Sequence, residues 1–90
     1  MPRFLDTHTV PIGTPPEELA AGHARDLAVQ AKHGVRFLKY WYDAATGKVW
    51  CLSESPDREA HLAVHREASG GDWGMPGTIP DDIFQVEEHE

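Results

Sequence analysis

Residues 35–53 read VRFLKYWYDAATGKVWCLS and contain two runs of aromatic and β-branched residues on either side of a short polar segment. The runs Val35–Tyr42 and Lys48–Ser53 favour extended backbone. The segment between them ends at Gly47, which can adopt the positive φ that a hairpin loop requires. The stretch therefore predicts two antiparallel strands at the centre of the fold.

A strand and a helix precede this hairpin, and a helix and a strand follow it. These four elements are bounded by turn-forming and helix-capping residues, and they are predicted at residues 3–10, 14–34, 55–68 and 83–86. The order βαββαβ is typical of a ferredoxin-like α+β sandwich, in which two helices cover one face of a four-stranded antiparallel sheet. Residues 1–90 are predicted to form one such domain.

The first helix is predicted to place a histidine among its buried residues. Thr14 and Glu17 have the spacing of a capping box at the start of the helix. An apolar stripe at helical spacing is formed by Leu19, Ala20, Ala24, Leu27, Ala28 and Ala31. His23 falls inside this stripe, so it is predicted to face the interior and to need a polar partner there.

The second face of the sheet is predicted to lie against another copy of the chain. With both helices on one side, the other side is open, and a small core cannot absorb every aromatic residue of the central hairpin. These aromatic residues are Phe37, Tyr40, Trp41, Tyr42 and Trp50. We therefore expect a homodimer packed through the open sheet face, which is the architecture called a dimeric α/β barrel.

The composition excludes several classes of function. A formal charge of −7 and scattered basic residues do not suit a nucleic-acid-binding surface. No apolar run is long enough for a transmembrane helix, and the N-terminus lacks the pattern of a secretory signal, so the sequence predicts a cytoplasmic protein. Six histidines and fifteen carboxylates in 90 residues are compatible with binding of divalent cations.

Two candidate ligands lie on the first strand, and a third lies on the hairpin. Because side chains alternate along a strand, Asp6 and His8 point to the same face. Cys51 is the only cysteine, which rules out a disulfide within the chain. It is either a small buried hydrophobic residue, a reactive thiol or a metal-binding thiolate.

The second helix carries His61 and His65, whose spacing of four allows two imidazoles to reach one ion. The Glu that follows the first histidine in metalloprotease helices is absent, because Leu62 follows His61. A protease function is therefore excluded. His61 is interpreted as a solvated residue, since this spacing is unremarkable among six histidines.

The chain resembles the small nickel-binding, nickel-responsive ferredoxin-like proteins, formerly a domain of unknown function. The similarity covers roughly residues 3–68 and the last strand. It rests on the opening FLDTH, the helix LAAGHARDL at 19–27, the segment GKVWCLSESP at 47–56, and the helix 60–68 with His65. The sequence departs from the family at His61, where an aliphatic residue is usual, and in a longer loop at 70–80.

The resemblance implies a dimeric nickel-binding protein rather than an enzyme, and other divalent transition metals are possible ligands of the same site. Carried over by position, the candidate ligands are Asp6, His8, His23, Cys51 and His65. Two alternatives stay open. Related barrels include monooxygenases and isomerases, in which His8 or His65 would act as a general base in a cavity. A structural module without any ligand is the other alternative.

Overall fold

The computed structural model describes residues 1–69 and 79–89. Its elements follow the predicted order, with one short 3₁₀ helix extending the first α-helix. They are β1 Arg3–Thr9, α1 Pro16–Val29, the 3₁₀ helix Gln30–His33, β2 Arg36–Asp43, β3 Lys48–Glu54, α2 Arg58–Ala68 and β4 Asp82–Val86. Residues 70–78 of the predicted loop at 70–80 lie outside the described part of the chain.

The four strands form one antiparallel sheet in the order β2-β3-β1-β4. The two helices complete a ferredoxin-like α+β arrangement, so the predicted fold class is confirmed. The register places Asp6 of β1 directly opposite Cys51 of β3. The sheet of this single chain is not closed into a barrel, and the dimeric α/β barrel stays a prediction.

The hairpin loop between β2 and β3 has the backbone that its glycine predicted. Gly47 has a φ of 76°, and an added Cβ would lie 2.2 Å from the carbonyl oxygen of Val10. The carbonyl of Gly47 in turn accepts a hydrogen bond of 2.8 Å from the amide of Val10. The loop therefore ties the hairpin to the residue that follows β1, and this contact helps to hold β1 beside β3.

The start of α1 differs from the prediction. The helix begins at Pro16, and its N-cap residue Pro15 has no side-chain cap. The hydroxyl of Thr14 donates instead to the carbonyl of Pro11 at 2.6 Å. The predicted capping box with Glu17 was therefore wrong, because the threonine stabilises the preceding turn.

The buried face of α1 also differs from the predicted apolar stripe. The buried residue of this helix is Asp26, whereas Leu27 is 42% exposed. Three alanines of the predicted stripe, Ala20, Ala24 and Ala28, are exposed. The face of α1 that packs inward is therefore not the predicted one. It consists of half-buried residues together with Asp26, and it places Asp26 close to α2.

The second helix is capped as its sequence suggests. The carboxylate of Asp57 accepts a hydrogen bond of 2.8 Å from the amide of Ala60, which stabilises the first turn. This cap fixes where the helix starts, and its buried residues are then His61, Val64 and His65. Two of the three residues that α2 turns inward are therefore histidines.

The apolar core lies between the helices and the sheet. Its buried members are Val10, Val35, Phe37, Val49, Cys51 and Val64. On the opposite face of the sheet, Trp41 is 46% exposed and Phe84 is 51% exposed. In the described residues, no helix has the length and apolar composition needed to cross a membrane.

Candidate metal centre

Four possible metal ligands from three elements meet beneath the helices. Asp6 and His8 come from β1, Cys51 comes from the facing position on β3, and His65 comes from α2. One donor atom from each residue lies within 4.8 Å of the donor atoms of the others, and all four residues are buried. Strand alternation and antiparallel register thus place oxygen, nitrogen and sulfur donors in one small volume.

Asp6 lies at the centre of this group and has no exposed surface. Its Oδ2 accepts hydrogen bonds of 2.5 Å from Nε2 of His61 and from Nε2 of His65. Burial alone would raise the pKa of this carboxyl group. The hydrogen bonds from His61 and His65, together with the ring of His8 close to Oδ1, outweigh burial and hold the pKa of Asp6 far below its usual range, so the group is ionised.

His65 lies between two carboxylates. Its Nε2 donates to Asp6, and its Nδ1 is 3.1 Å from Oδ1 of Asp26. Burial opposes a charge on this ring, but the contacts with Asp26 and Asp6 raise its pKa well above the usual value. The metal-free ring therefore donates from both nitrogens, as an imidazolium. Asp26 orients the ring and leaves Nε2 directed at the centre of the group.

His8 has buried nitrogens without hydrogen-bond partners. Its Nε2 is 2.9 Å from Oδ1 of Asp6. The geometry is not that of a hydrogen bond, so both ring nitrogens and this oxygen lack partners among the described residues. Burial lowers the pKa of His8, but the Asp6 carboxylate and then the Cys51 thiol raise it to about 9. Unsatisfied buried polar atoms are costly unless something else binds them.

His61 was wrongly interpreted as a solvated residue. The side chain is fully buried, with Nδ1 2.6 Å from Oγ of Ser53 and Nε2 bonded to Asp6. The ring also packs against Phe37, with 4.9 Å between ring centroids. Because both of its nitrogens are occupied, His61 fixes the orientation of the Asp6 carboxylate. Its position three residues before the buried Val64 was the sequence signal for this burial.

His23 lies outside the group of four. Its ring packs against Tyr40 with 4.8 Å between centroids. Its Nδ1 is buried and has no hydrogen-bond partner in the described part of the chain. The sequence therefore placed this residue correctly on the inner side of α1, but the structure does not bring it together with the other four candidates.

A cleft of about 800 Å³ opens beside the four donors. His8, Cys51 and His65 line its inner wall, and residues of α1, including His23, line the outer wall. The donors are therefore buried but border a volume through which an ion could reach them. Asp6 lies behind this wall and does not line the cleft.

The donor set fits a divalent transition metal. Imidazole nitrogen, thiolate sulfur and carboxylate oxygen are ligands for nickel, copper and zinc. Ligands on opposite sides of such an ion are separated by roughly 4.0–4.6 Å, given bond lengths of about 2.0–2.3 Å. The observed spread of 4.8 Å is therefore less than about 1 Å wider than such an ion requires. An ion would also satisfy one of the two unpartnered nitrogens of His8 and the unpartnered oxygen of Asp6.

Comparisons with known proteins identify a family and a similar solved structure. The family described as "Nickel responsive protein SCO4226-like" matches residues 4–73. The crystal structure of SCO4226 from Streptomyces coelicolor A3(2) is similar, with a TM-score of 0.81 and 34% sequence identity over 98% of this chain and 99% of that chain. The comparison with curated proteins gave no match.

Proposed function

Since the chain belongs to the nickel responsive protein SCO4226-like family, we propose that it binds a nickel ion and sequesters it or responds to it. The ligands are Asp6, His8, Cys51 and His65. The observation that carries this proposal is the convergence of their donor atoms within 4.8 Å in a buried volume. Two further residues orient the ligands without contacting the ion, as is usual around metal sites. Asp26 orients His65, and His61 orients Asp6.

An enzymatic role in an apolar cavity has weaker support. That role needs a general base whose proton can be exchanged with a substrate. His65 is instead bonded to two carboxylates, and His8 lies against a carboxylate and a thiol. Such grouping of donors is what a metal ion requires, so the structure favours a binding protein over an enzyme with an isolated histidine.

Titration of chelator-stripped protein with nickel, followed by absorbance, tests the proposal. A thiolate ligand gives a sulfur-to-metal charge-transfer band, because bound metal holds the sulfur deprotonated. We expect a band that saturates with nickel in the wild type and is lost in Cys51→Ala. Cys51 is the only cysteine, so no other thiol can produce the band. A wild-type titration without this band would refute the proposal, provided that circular dichroism shows folded protein.

Nickel affinity is expected to rise with pH in the range below about 9, where His8 is still protonated. In this range the metal must displace protons from His8 and His65, since the pKa of each is raised in the metal-free protein, and from the Cys51 thiol as it becomes a thiolate ligand. Each displaced proton contributes about tenfold in affinity for every pH unit. Calorimetric titrations at several pH values in a buffer that does not bind nickel should show this slope. A rise of no more than about tenfold per pH unit, the share of the Cys51 proton alone, would contradict the protonated state of the two rings.

We also propose that two chains pair through the open sheet face, where Trp41 and Phe84 are exposed. Exposed aromatic residues on a sheet are typical of protein interfaces. Light scattering should give about twice the chain mass of 10.0 kDa, and Trp41→Glu should shift the protein toward the monomer. Ile12→Glu is the matched control, because Ile12 is 76% exposed but lies outside the sheet. A wild-type monomer at micromolar concentration would rule out this pairing.

A further inference from the structure

The cleft beside the donors is much larger than a metal ion needs. Its volume of about 800 Å³ lies in the range of pockets that hold small organic molecules, about 300–1,000 Å³. A water molecule occupies only about 30 Å³. Entry of a bare or hydrated ion therefore does not explain the size of this space, and its walls indicate a second component.

The inner wall offers open coordination positions if nickel is bound as proposed. Nickel(II) adopts square-planar or tetragonal geometry in proteins, and the tetragonal form has six positions. The four proposed ligands supply one donor atom each, which would leave two positions. Because three of these ligands line the cleft and Asp6 lies behind them, the open positions would face the cleft.

The outer wall carries groups that recognise a carboxylate. His23 has a buried Nδ1 with no hydrogen-bond partner among the described residues. Arg25 also lines the cleft, and it forms no ion pair with the described part of the chain. An imidazole and a guanidinium are suitable donors to a carboxylate. Leu19 and Val49 contribute apolar surface to the lining of the cleft.

We propose that the cleft binds nickel together with a small dicarboxylate that also carries a hydroxyl group. The hydroxyl and the first carboxylate would chelate the ion at its two open positions. The second carboxylate then reaches His23 and Arg25. A divalent cation with a dicarboxylate is neutral overall, so the net charge of −7 does not oppose its entry. This inference rests on the proposed nickel site and adds the chemical form in which the ion is held.

Calorimetric titration with malate tests the inference in nickel-loaded and in metal-free protein. Succinate is the control ligand, because it has two carboxylates but lacks the hydroxyl that completes the chelate. We expect malate to bind the nickel-loaded protein about tenfold or more tightly than the metal-free protein, and the charge-transfer band to persist. Succinate should show no such preference. Equal binding of malate to both forms, or loss of the band through removal of nickel, would overturn the inference.

Two variants test malate binding separately from nickel binding. Arg25→Gln should leave the affinity for nickel alone unchanged and weaken malate binding to the loaded protein by about tenfold, the effect of losing one charge-assisted hydrogen bond. Arg58→Gln makes the same charge change on a residue outside the cleft lining and should alter neither. An unchanged malate affinity in Arg25→Gln would refute the role of the outer wall. Failure of nickel alone to bind would refute the proposed function as well.

Discussion

Replacing Asp6 by asparagine is expected to abolish tight nickel binding and to destabilise the metal-free protein. The carboxylate is fully buried, and its Oδ2 accepts hydrogen bonds from both His61 and His65. Asparagine keeps the size of the side chain but removes the charge that these rings surround. Removing one partner of a buried ion pair costs about 3–5 kcal/mol. Nickel titration and chemical denaturation should show both losses, with an affinity drop of about a hundredfold or more.

The loss of stability in Asp6→Asn should depend on pH in a defined direction. The pKa of Asp6 lies below its ordinary value of 3.8, so its stabilising effect is complete above that pH. The pKa of His8 is raised from 6.5 to about 9, so its effect is complete below 6.5 and is lost as pH rises through 9. The two proteins should therefore differ more at pH 6 than at pH 9.

A matched control for this prediction is Asp82→Asn, which makes the same change at an exposed position on β4. It should leave nickel affinity unchanged and alter the free energy of unfolding by less than about 0.5 kcal/mol. If Asp6→Asn bound nickel within threefold of the wild type, Asp6 would not be a ligand. The centre of the site would then have to lie elsewhere in the cluster.

The fold could be predicted because its determinants are local. The β2-β3 hairpin follows from its two extended runs and from Gly47, whose positive φ the structure shows. Alternation along β1 placed Asp6 and His8 on one face, and the register of β1 with β3 then brought Cys51 opposite Asp6. The hairpin and the alternation depend on the chain near each residue, so the sequence determines them without knowledge of the tertiary packing. The pairing of β1 with β3 joins segments far apart in the chain, and the sequence did not predict that Asp6 lies opposite Cys51.

The role of Asp26 could not be predicted, because it depends on how α1 is rotated. Alanines at helical spacing suggested one buried face, but alanine gains little from burial and is tolerated in solvent. The observed rotation follows from packing against α2, where His65 provides a partner for the Asp26 carboxylate. The burial of the Asp26 carboxylate can be explained only when its partner, thirty-nine positions away, is known.

The metal-free cluster has an arrangement that favours ion binding. One carboxylate is surrounded by three imidazoles, yet His8 and one oxygen of Asp6 lack hydrogen-bond partners among the described residues. Such buried polar atoms cost free energy in the metal-free protein. Nickel would contact one nitrogen of His8 and the free oxygen of Asp6, and it would displace a proton from each of His8 and His65, while the hydrogen bond between Asp26 and His65 Nδ1 is kept. Part of the binding free energy therefore arises from interactions that the metal-free protein cannot make.

The second large effect is expected at His61, which lies next to the proposed ligands but is not one of them. His61→Leu keeps an apolar side chain against Phe37 but removes the partner of Ser53 Oγ and one of the two partners of Asp6 Oδ2. Leaving buried polar groups with fewer partners costs about 1–3 kcal/mol each. Loss of an outer support typically weakens metal affinity by about 10–100-fold. Both effects are measurable by denaturation and by nickel titration.

His33→Leu is the matched control, because His33 is partly buried and contacts Glu67, away from the metal cluster. This variant should retain wild-type nickel affinity and lose less than about 1 kcal/mol. The charge-transfer band distinguishes the two possible roles of His61. If His61 only orients Asp6, the band of nickel-saturated His61→Leu keeps its wavelength while the affinity falls. A shifted band would show that His61 itself ligates the metal, because the ligand set around the ion would then have changed.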